Sequence, residues 1–162
     1  MSRGRQPVEP RVRFWSKVDK SGECWDWRGY VRAGNGYGQF GISQSKTVYA
    51  HRFAYEDRVG QIPEGFQVDH TCHNRTCVNP AHLRAVTHKQ NTENLSGARA
   101  DNKQGLRGVG LNRRNGKYRV KVTHNGSHYH GGQFTTLEEA AEAARQLRLS
   151  LFTHNDADRR TA

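Results

Sequence analysis

The stretch VDHTCHNRTCVNPAHL, residues 68–83, carries three histidines, two cysteines and two asparagines. Cys72, Cys77 and His82 follow the pattern C-x4-C-x4-H. Thiolates and imidazoles are good zinc ligands, and a structural zinc takes four of them in a tetrahedron. The chain has three cysteines in all, and the third, Cys24 in GECWDW, is the natural fourth ligand. Such a ligand would tie the N-terminal segments to this loop. His73 points the wrong way for a compact chelate with Cys72, while His51 and His88 stay open as alternative ligands. Only 33% of the residues are hydrophobic, too few for one large core. A bound metal can contribute on the order of 10 kcal/mol to the folding of a small domain. An odd cysteine count fits ligation better than a disulfide framework.

The opening MSRGRQPVEPRVRFW is basic but lacks the apolar run of a secretory signal, and no segment approaches a membrane span. A cytoplasmic, unsecreted protein is expected. The net charge of +11 favours an anionic partner, nucleic acid first.

Composition divides the chain into residues 1–95, a linker at 96–105 (SGARADNKQG), and residues 106–162. The first part is dense in aromatics: CWDWRGY, GYGQF, VYAHRFAY and GFQV read as short strands between Gly-rich turns. In the second part Asn115-Gly116 and Asn125-Gly126 are hairpin signals. They cut out three strands, at 106–113, 117–123 and 127–134. Tyr118, Val120 and Val122 alternate with Lys117, Arg119 and Lys121, so one sheet face is apolar and the other basic. Thr136 and Glu139 fit a capping box, and Leu137, Ala141, Ala144, Leu147 and Leu151 recur on one helix face. The expected class is α+β: a zinc-bound first domain, then a three-stranded antiparallel sheet packed on one helix. Lys103, Arg107, Arg113, Arg114, Lys117, Arg119 and Lys121 occur with no acidic residue between Asn102 and Leu137. Ordinary surfaces mix signs. A basic sheet can enter the major groove, where Arg or Lys reads guanine edges and other cations meet phosphates.

Residues beside the zinc pattern suit another chemistry. Asp69 and His70 end the expected strand GFQVDH, and Asn91 lies in an expected helix in AVTHKQNTEN. Phosphodiester cleavage needs a base to activate water and a cation to neutralise the leaving oxygen. An imidazole suits the first task near neutrality. A carboxylate and an amide oxygen are hard ligands suited to Mg²⁺. Thus His70 is the expected base, with Asp69 and Asn91 the expected Mg²⁺ ligands.

The core VDHTCHNRTCVNPAHL followed by THKQN, within residues 23–94, resembles the HNH endonucleases, especially the zinc-containing His-Cys box type with a ββα-metal fold. The resemblance implies that His70 is the base and Asn91 a metal ligand, with Asp69 present in some branches. It further implies that Asn79 in CVNP braces the loop and that Arg52 in AHRFAY touches the cut phosphate. GLRGVGLNRRNGKYRVKV followed by GGQFTTLEEAAEAA, within residues 105–152, resembles the AP2 DNA-binding domain. By that likeness Arg107, Arg113, Arg114, Arg119 and Lys121, with Lys117 on the same strand, are DNA contacts. The pairing resembles free-standing homing endonucleases of phages and mobile introns, which would act in the host cytoplasm. The expected function is a Mg²⁺-dependent endonuclease acting on double-stranded DNA, as monomer or homodimer. The alternatives are a non-catalytic, zinc-containing transcription regulator and an RNA-binding protein. A scaffold alone has no use for Asp69, His70 and Asn91 together.

Overall fold

The computed structural model describes residues 8–160. Residues 1–7, which open the basic N-terminal stretch, and residues 161–162 lie outside the described residues. The chain forms two compact units, with the boundary between His88 and Lys89. Among the described residues no helix is long and apolar enough to cross a membrane.

The first unit is built from short pieces. Helix α1 (Pro10–Trp15) starts on a proline, whose missing N–H costs nothing in a first turn. Strands β1 (Val18–Asp19) and β2 (Asp26–Trp27) pair antiparallel, as do β3 (Gln39–Gly41) and β4 (Thr47–Tyr49). Helix α2 (Ala50–Arg58) follows directly, then β5 (Gln67–His70), a single 3-10 turn (Pro80–His82) and β6 (Leu83–Val86). β5 and β6 pair antiparallel, with Asp69 opposite Arg84 and His70 opposite Leu83.

Among the described residues no sheet in this unit has more than two strands, so side chains must supply the cohesion. Phe14 is fully buried, stacked on Trp27 at 4.9 Å and packed on Phe53 at 4.6 Å and Phe40 at 5.1 Å between ring centres. Large rings bury much apolar area per residue, which suits a chain poor in aliphatics. The reading of VYAHRFAY as a strand is corrected: the strand ends at Tyr49 and the rest is helical. Ala50 and Ala54, one helical turn apart, are both buried and let α2 lie close to the aromatic core. Phe53 and Tyr55, which raised the aromatic density of that stretch, pack against the same core from the helix.

In the second unit β7 (Val109–Asn112), β8 (Lys117–His124) and β9 (Ser127–Phe134) form one antiparallel sheet in that order. Helix α4 (Leu137–Leu151) packs on it through Ala140 and Ala144, against Val109 and Val120. Its capping box is complete: the Thr136 hydroxyl accepts from the Glu139 N–H, and the Glu139 carboxylate accepts from the Thr136 N–H. The buried seam runs through Ala140 rather than the expected Ala141. The β8–β9 turn puts Asn125 and Gly126 at φ 51° and 75°, the left-handed pair that a two-residue hairpin requires. A bulge at Gly131 shifts the register between Val120 and Lys121. A Cβ there would stand 2.6 Å from Val120 Cγ1, so only glycine fits.

Helix α5 (Asp156–Arg160) is held by the buried Arg148, whose guanidinium donates twice to the Asp158 carboxylate, at 2.6 and 2.7 Å. The expected linker at 96–105 is a series of turns, and Asn102 Nδ2 donates to the carbonyls of Leu106 and Val109. The compact division falls earlier than the compositional one at about residue 95. Helix α3 (His88–Glu93) therefore has most of its length in the second unit. Arg107 donates to the carbonyls of Thr92, Glu93 and Leu95 at 2.7 to 2.9 Å, and so caps its C-terminus. The buried Glu93 accepts from the Thr153 backbone and hydroxyl. The Asp156 N–H reaches Asn94 Oδ1 at 2.9 Å.

Candidate active site and metal centre

Cys24, Cys72, Cys77 and His82 converge, with their ligand atoms all within 4.8 Å of one another. The segment around Cys24 is carried there by backbone pairing: Trp27 N–H donates to Thr76 O at 3.0 Å and Val78 N–H to Trp25 O at 2.8 Å. His82 Nδ1 lies 3.7 Å from Cys24 Sγ and 3.6 Å from Cys77 Sγ. A tetrahedral zinc with sulfur at about 2.3 Å and nitrogen at about 2.0 Å has S···N edges of about 3.5 Å. The quartet thus has the donor chemistry and the dimensions of a structural zinc site. Hydrogen bonding from the Cys77 thiol pulls the Cys72 thiol down, which favours its thiolate form. The same contact pushes Cys77 up, and burial pushes Cys24 up.

Asn79 braces this loop at both ends. Its Nδ2 donates to Glu23 O at 2.8 Å, and its Oδ1 accepts from Ala81 N–H at 3.1 Å, capping the 3-10 turn that presents His82. Asn74 does similar work one turn earlier, donating to Asp26 at 2.9 Å and accepting from the Thr76 N–H. Nothing in the local pattern set Asn74 apart from a surface amide.

Asp69 and His70 are consecutive on β5, and both are buried. Asp69 Oδ2 accepts from Arg84 Nε at 3.1 Å and Nη2 at 3.0 Å, a pair that the β5–β6 register creates. His70 Nε2 donates to the Cys77 carbonyl at 3.0 Å. A carbonyl can only accept, so the proton of the neutral ring sits on Nε2 and the lone pair on Nδ1. Burial holds His70 below the ordinary imidazole range and so favours the form with that lone pair. Arg52 is exposed in the first turn of α2. Its neighbour His51 is buried, with its ring 4.8 Å from the His70 ring. In sequence His51 stood out only as an alternative zinc ligand. It is not one of the quartet.

In the second unit Asn91 lies on α3, the helix anchored by Arg107, Glu93 and Asn94. Lys117, Arg119 and Lys121 are exposed on one face of β8, while Val120 and Val122 are buried on the other. Arg113 and Arg114 are exposed in the β7–β8 turn. Arg107 is placed differently. Its guanidinium is taken up by backbone carbonyls and lies 5.2 Å over the Phe152 ring. β9 adds His128, His130 and Gln133 to the exposed surface, opposite Thr123, Lys121 and Arg119.

Residues 48–93 match the family model described as HNH endonuclease, a span that runs from β4 to the end of α3. Relatives occur in phages. Protein 2.8 of Escherichia phage T7 is 40% identical over 80 residues, 49% of this chain and 52% of that protein. Protein 7.7 of the same phage is 38% identical over 73 residues, 45% of this chain and 55% of that protein. A gene 5.3 protein of Enterobacteria phage T3 is 36% identical over 62 residues, 35% of this chain and 61% of that protein. The chain spans only about half the length of the curated phage T7 relatives it matches. No solved structure matches the chain.

Proposed function

We propose that this chain is a metal-dependent endonuclease of the homing type that hydrolyses phosphodiester bonds in double-stranded DNA in the host cytoplasm. The match of residues 48–93 to the HNH endonuclease family carries the reading, because it spans every residue assigned to cutting. His70 takes a proton from water through Nδ1, while the Cys77 carbonyl fixes the ring. Asp69 and Asn91 would each offer a hard oxygen donor to Mg²⁺, whose chemistry would be to neutralise charge on the leaving oxygen. Asn79 keeps the loop in place, and Arg52 meets the cut phosphate. Cys24, Cys72, Cys77 and His82 hold zinc, whose part is structural.

The second unit supplies address and affinity as an AP2-like module. Its support is the three-stranded sheet on one helix, with Lys117, Arg119 and Lys121 on the open face and Arg113 and Arg114 in the turn. Arg107 stays in this contact set through the donors left over, since the carbonyls of Thr92, Glu93 and Leu95 take three of its five N–H groups. One centre cuts one strand, so a double-strand break needs two chains or two successive events.

Supercoiled plasmid with Mg²⁺ or Mn²⁺, against an EDTA control, tests the reading. Nicked circles that appear only with the divalent ion are the expected product. DNA binding without nicking under either ion would replace the nuclease by a zinc-containing DNA-binding regulator.

A further inference from the structure

Gly110 is a glycine that the fold does not require. It lies on β7, the edge strand of the second unit's sheet. Its backbone is outside the left-handed region. A Cβ there would meet only the Arg119 side chain, 3.6 Å from Nε and 4.0 Å from Cγ, which is ordinary contact with a flexible group. Gly110 pairs with Arg119 in an unshifted register, so no bulge calls for it either. Gly108 differs. Its φ is 84°, and a Cβ would stand 3.3 Å from the Lys121 carbonyl oxygen, so there the backbone itself demands glycine. Glycine weakens a strand and packs nothing. In a regular strand with no backbone reason for it, glycine suits a place where a ligand comes close to the main chain.

Both glycines line a cavity of about 910 Å³ in the second unit. Seven Arg and Lys residues line it with them, against one acidic residue, Asp101. Two of the seven have structural work: Arg107 caps α3, and Arg148 holds Asp158. The others are Arg99, Lys103, Arg113, Arg119 and Lys121. Asp101 pairs with Arg99 at 3.8 Å, with both side chains exposed. Arg99 and Lys103 belong to the segment 96–105, which is fastened to the edge strand. The Asn102 N–H donates to Arg99 O, the Gly105 N–H donates to Asn102 O, and the Asn102 side chain donates to Leu106 O and Val109 O. Pockets for small molecules are mostly apolar with a few polar groups. A concave surface with this excess of cations attracts a polyanion instead. Arg119 and Lys121 are two residues apart on one strand face, a separation of about 6.7 Å. That is close to the step between neighbouring phosphates of a nucleic-acid strand.

We propose that this groove seats the sugar–phosphate backbone of one strand of duplex DNA, with Gly110 as its floor and Arg99 and Lys103 as phosphate contacts beyond the sheet. The proposal rests on the reading of the second unit as the DNA-binding module. Arg119 and Lys121 meet successive phosphates from β8, while Arg99 and Lys103 approach from the segment 96–105. The missing Cβ at 110 lets the DNA backbone come into contact with the main chain of β7.

Binding of the full-length protein to a labelled DNA duplex, measured across a salt series without divalent ions, tests this. Gly110→Val puts a good strand former on the floor, so it should melt no lower than the wild type. Its affinity for the duplex should fall about tenfold or more, the scale of overpacking a close contact. Gly110→Ala should show a smaller loss in the same direction. Arg99→Ala and Lys103→Ala should each reduce the slope of log K against log salt by about one, with melting unchanged.

A Gly110→Val protein that binds the duplex like the wild type would overturn the proposal. Lowered melting in both Gly110 variants, in step with lost binding, would make Gly110 a packing residue. Unchanged salt slopes in Arg99→Ala and Lys103→Ala would remove the segment 96–105 from the groove's role. Competition by adenosine monophosphate as effective as by unlabelled duplex would make the cavity a mononucleotide site, and tighter binding of an RNA duplex would give it another occupant. Arg119→Ala keeps the underlying reading separate. If that variant loses affinity and Gly110→Val does not, only the groove falls. If Arg119→Ala binds like the wild type, the DNA-binding reading of the sheet falls with it.

Discussion

The two units solve the same problem, too little apolar mass, in opposite ways. The first has strands of two to four residues and sheets of two strands. Its order comes from a ring cluster around Phe14 and from four converging side chains, drawn from positions 24 to 82, that could hold a metal. The second has strands of up to eight residues and a 15-residue helix with a complete capping box. Its core is small, chiefly Val109, Val120, Ala140 and Ala144, and its order comes from regular backbone pairing. A unit built on ligands gathers chemistry in one place, because the groups that fold it already converge. A unit built on hairpins has a free face to decorate, and here that face is basic.

Metal removal should break the comparison most sharply. Chelation at raised temperature, or Cys72→Ser, is expected to unfold the first unit, since a structural zinc contributes on the order of 10 kcal/mol. The NMR signals of the β7–β9 sheet should survive the same treatment. A Cys72→Ser protein that keeps its zinc and its melting profile would remove the metal from the account of the first unit.

Substitution at the proposed base comes next. His70→Ala should lower nicking by roughly 10² to 10⁴-fold, the range of general acid–base catalysis. Filter binding to plasmid fragments should be nearly unchanged, because the basic sheet face lies in the other unit. Loss of zinc in that variant would instead assign His70 to the metal loop.

The DNA contacts sharpen the contrast from the other side. Arg119→Ala and Lys121→Ala should each weaken DNA binding and reduce the slope of log K against log salt by about one, with zinc content unchanged. Arg107→Ala should behave differently. It should lower the melting midpoint of the second unit, because three carbonyls at the end of α3 lose their donor.

The smallest expected effect is electrostatic. The His51 imidazole titrates at about 3 in the fold and at about 6.5 in an unfolded chain. Between those values the unfolded chain binds more protons, so stability falls as pH falls through that window. This one group should cost roughly 2 kcal/mol between pH 7 and pH 5. The melting midpoint of His51→Phe relative to the wild type should therefore rise on acidification. Parallel profiles for the two proteins would mean that the ring takes a proton as readily in the fold as in the unfolded chain.

Much was legible because it obeys local rules. The C-x4-C-x4-H spacing places three ligands within eleven residues, and three donors of that kind have few uses other than metal. Both Asn-Gly turns, the alternation along β8 and the Thr136–Glu139 cap are settled within a few residues by backbone geometry. Cys24 lies far away in sequence and was reached only by counting cysteines. Its pairing partner, the segment from Thr76 to Val78, could not be read from periodicity.

Composition also misled where packing overrides it. Aromatic density made VYAHRFAY look extended, but Ala50 and Ala54 give a helix a flat side against Phe14 and its neighbours. Arg107 has a structural task that its basic neighbours lack, since Thr92, Glu93 and Leu95 present carbonyls to it.

What the sequence determined by itself was therefore an inventory: which side chains can bind zinc, which can move a proton, and which strands carry positive charge. Those follow from residue type and near spacing. Only the tertiary structure decided who meets whom: Arg84 on Asp69, His51 against His70, Cys24 beside His82. Each of these contacts joins segments at least fifteen residues apart, and chain folding over that span is governed by packing of the whole core.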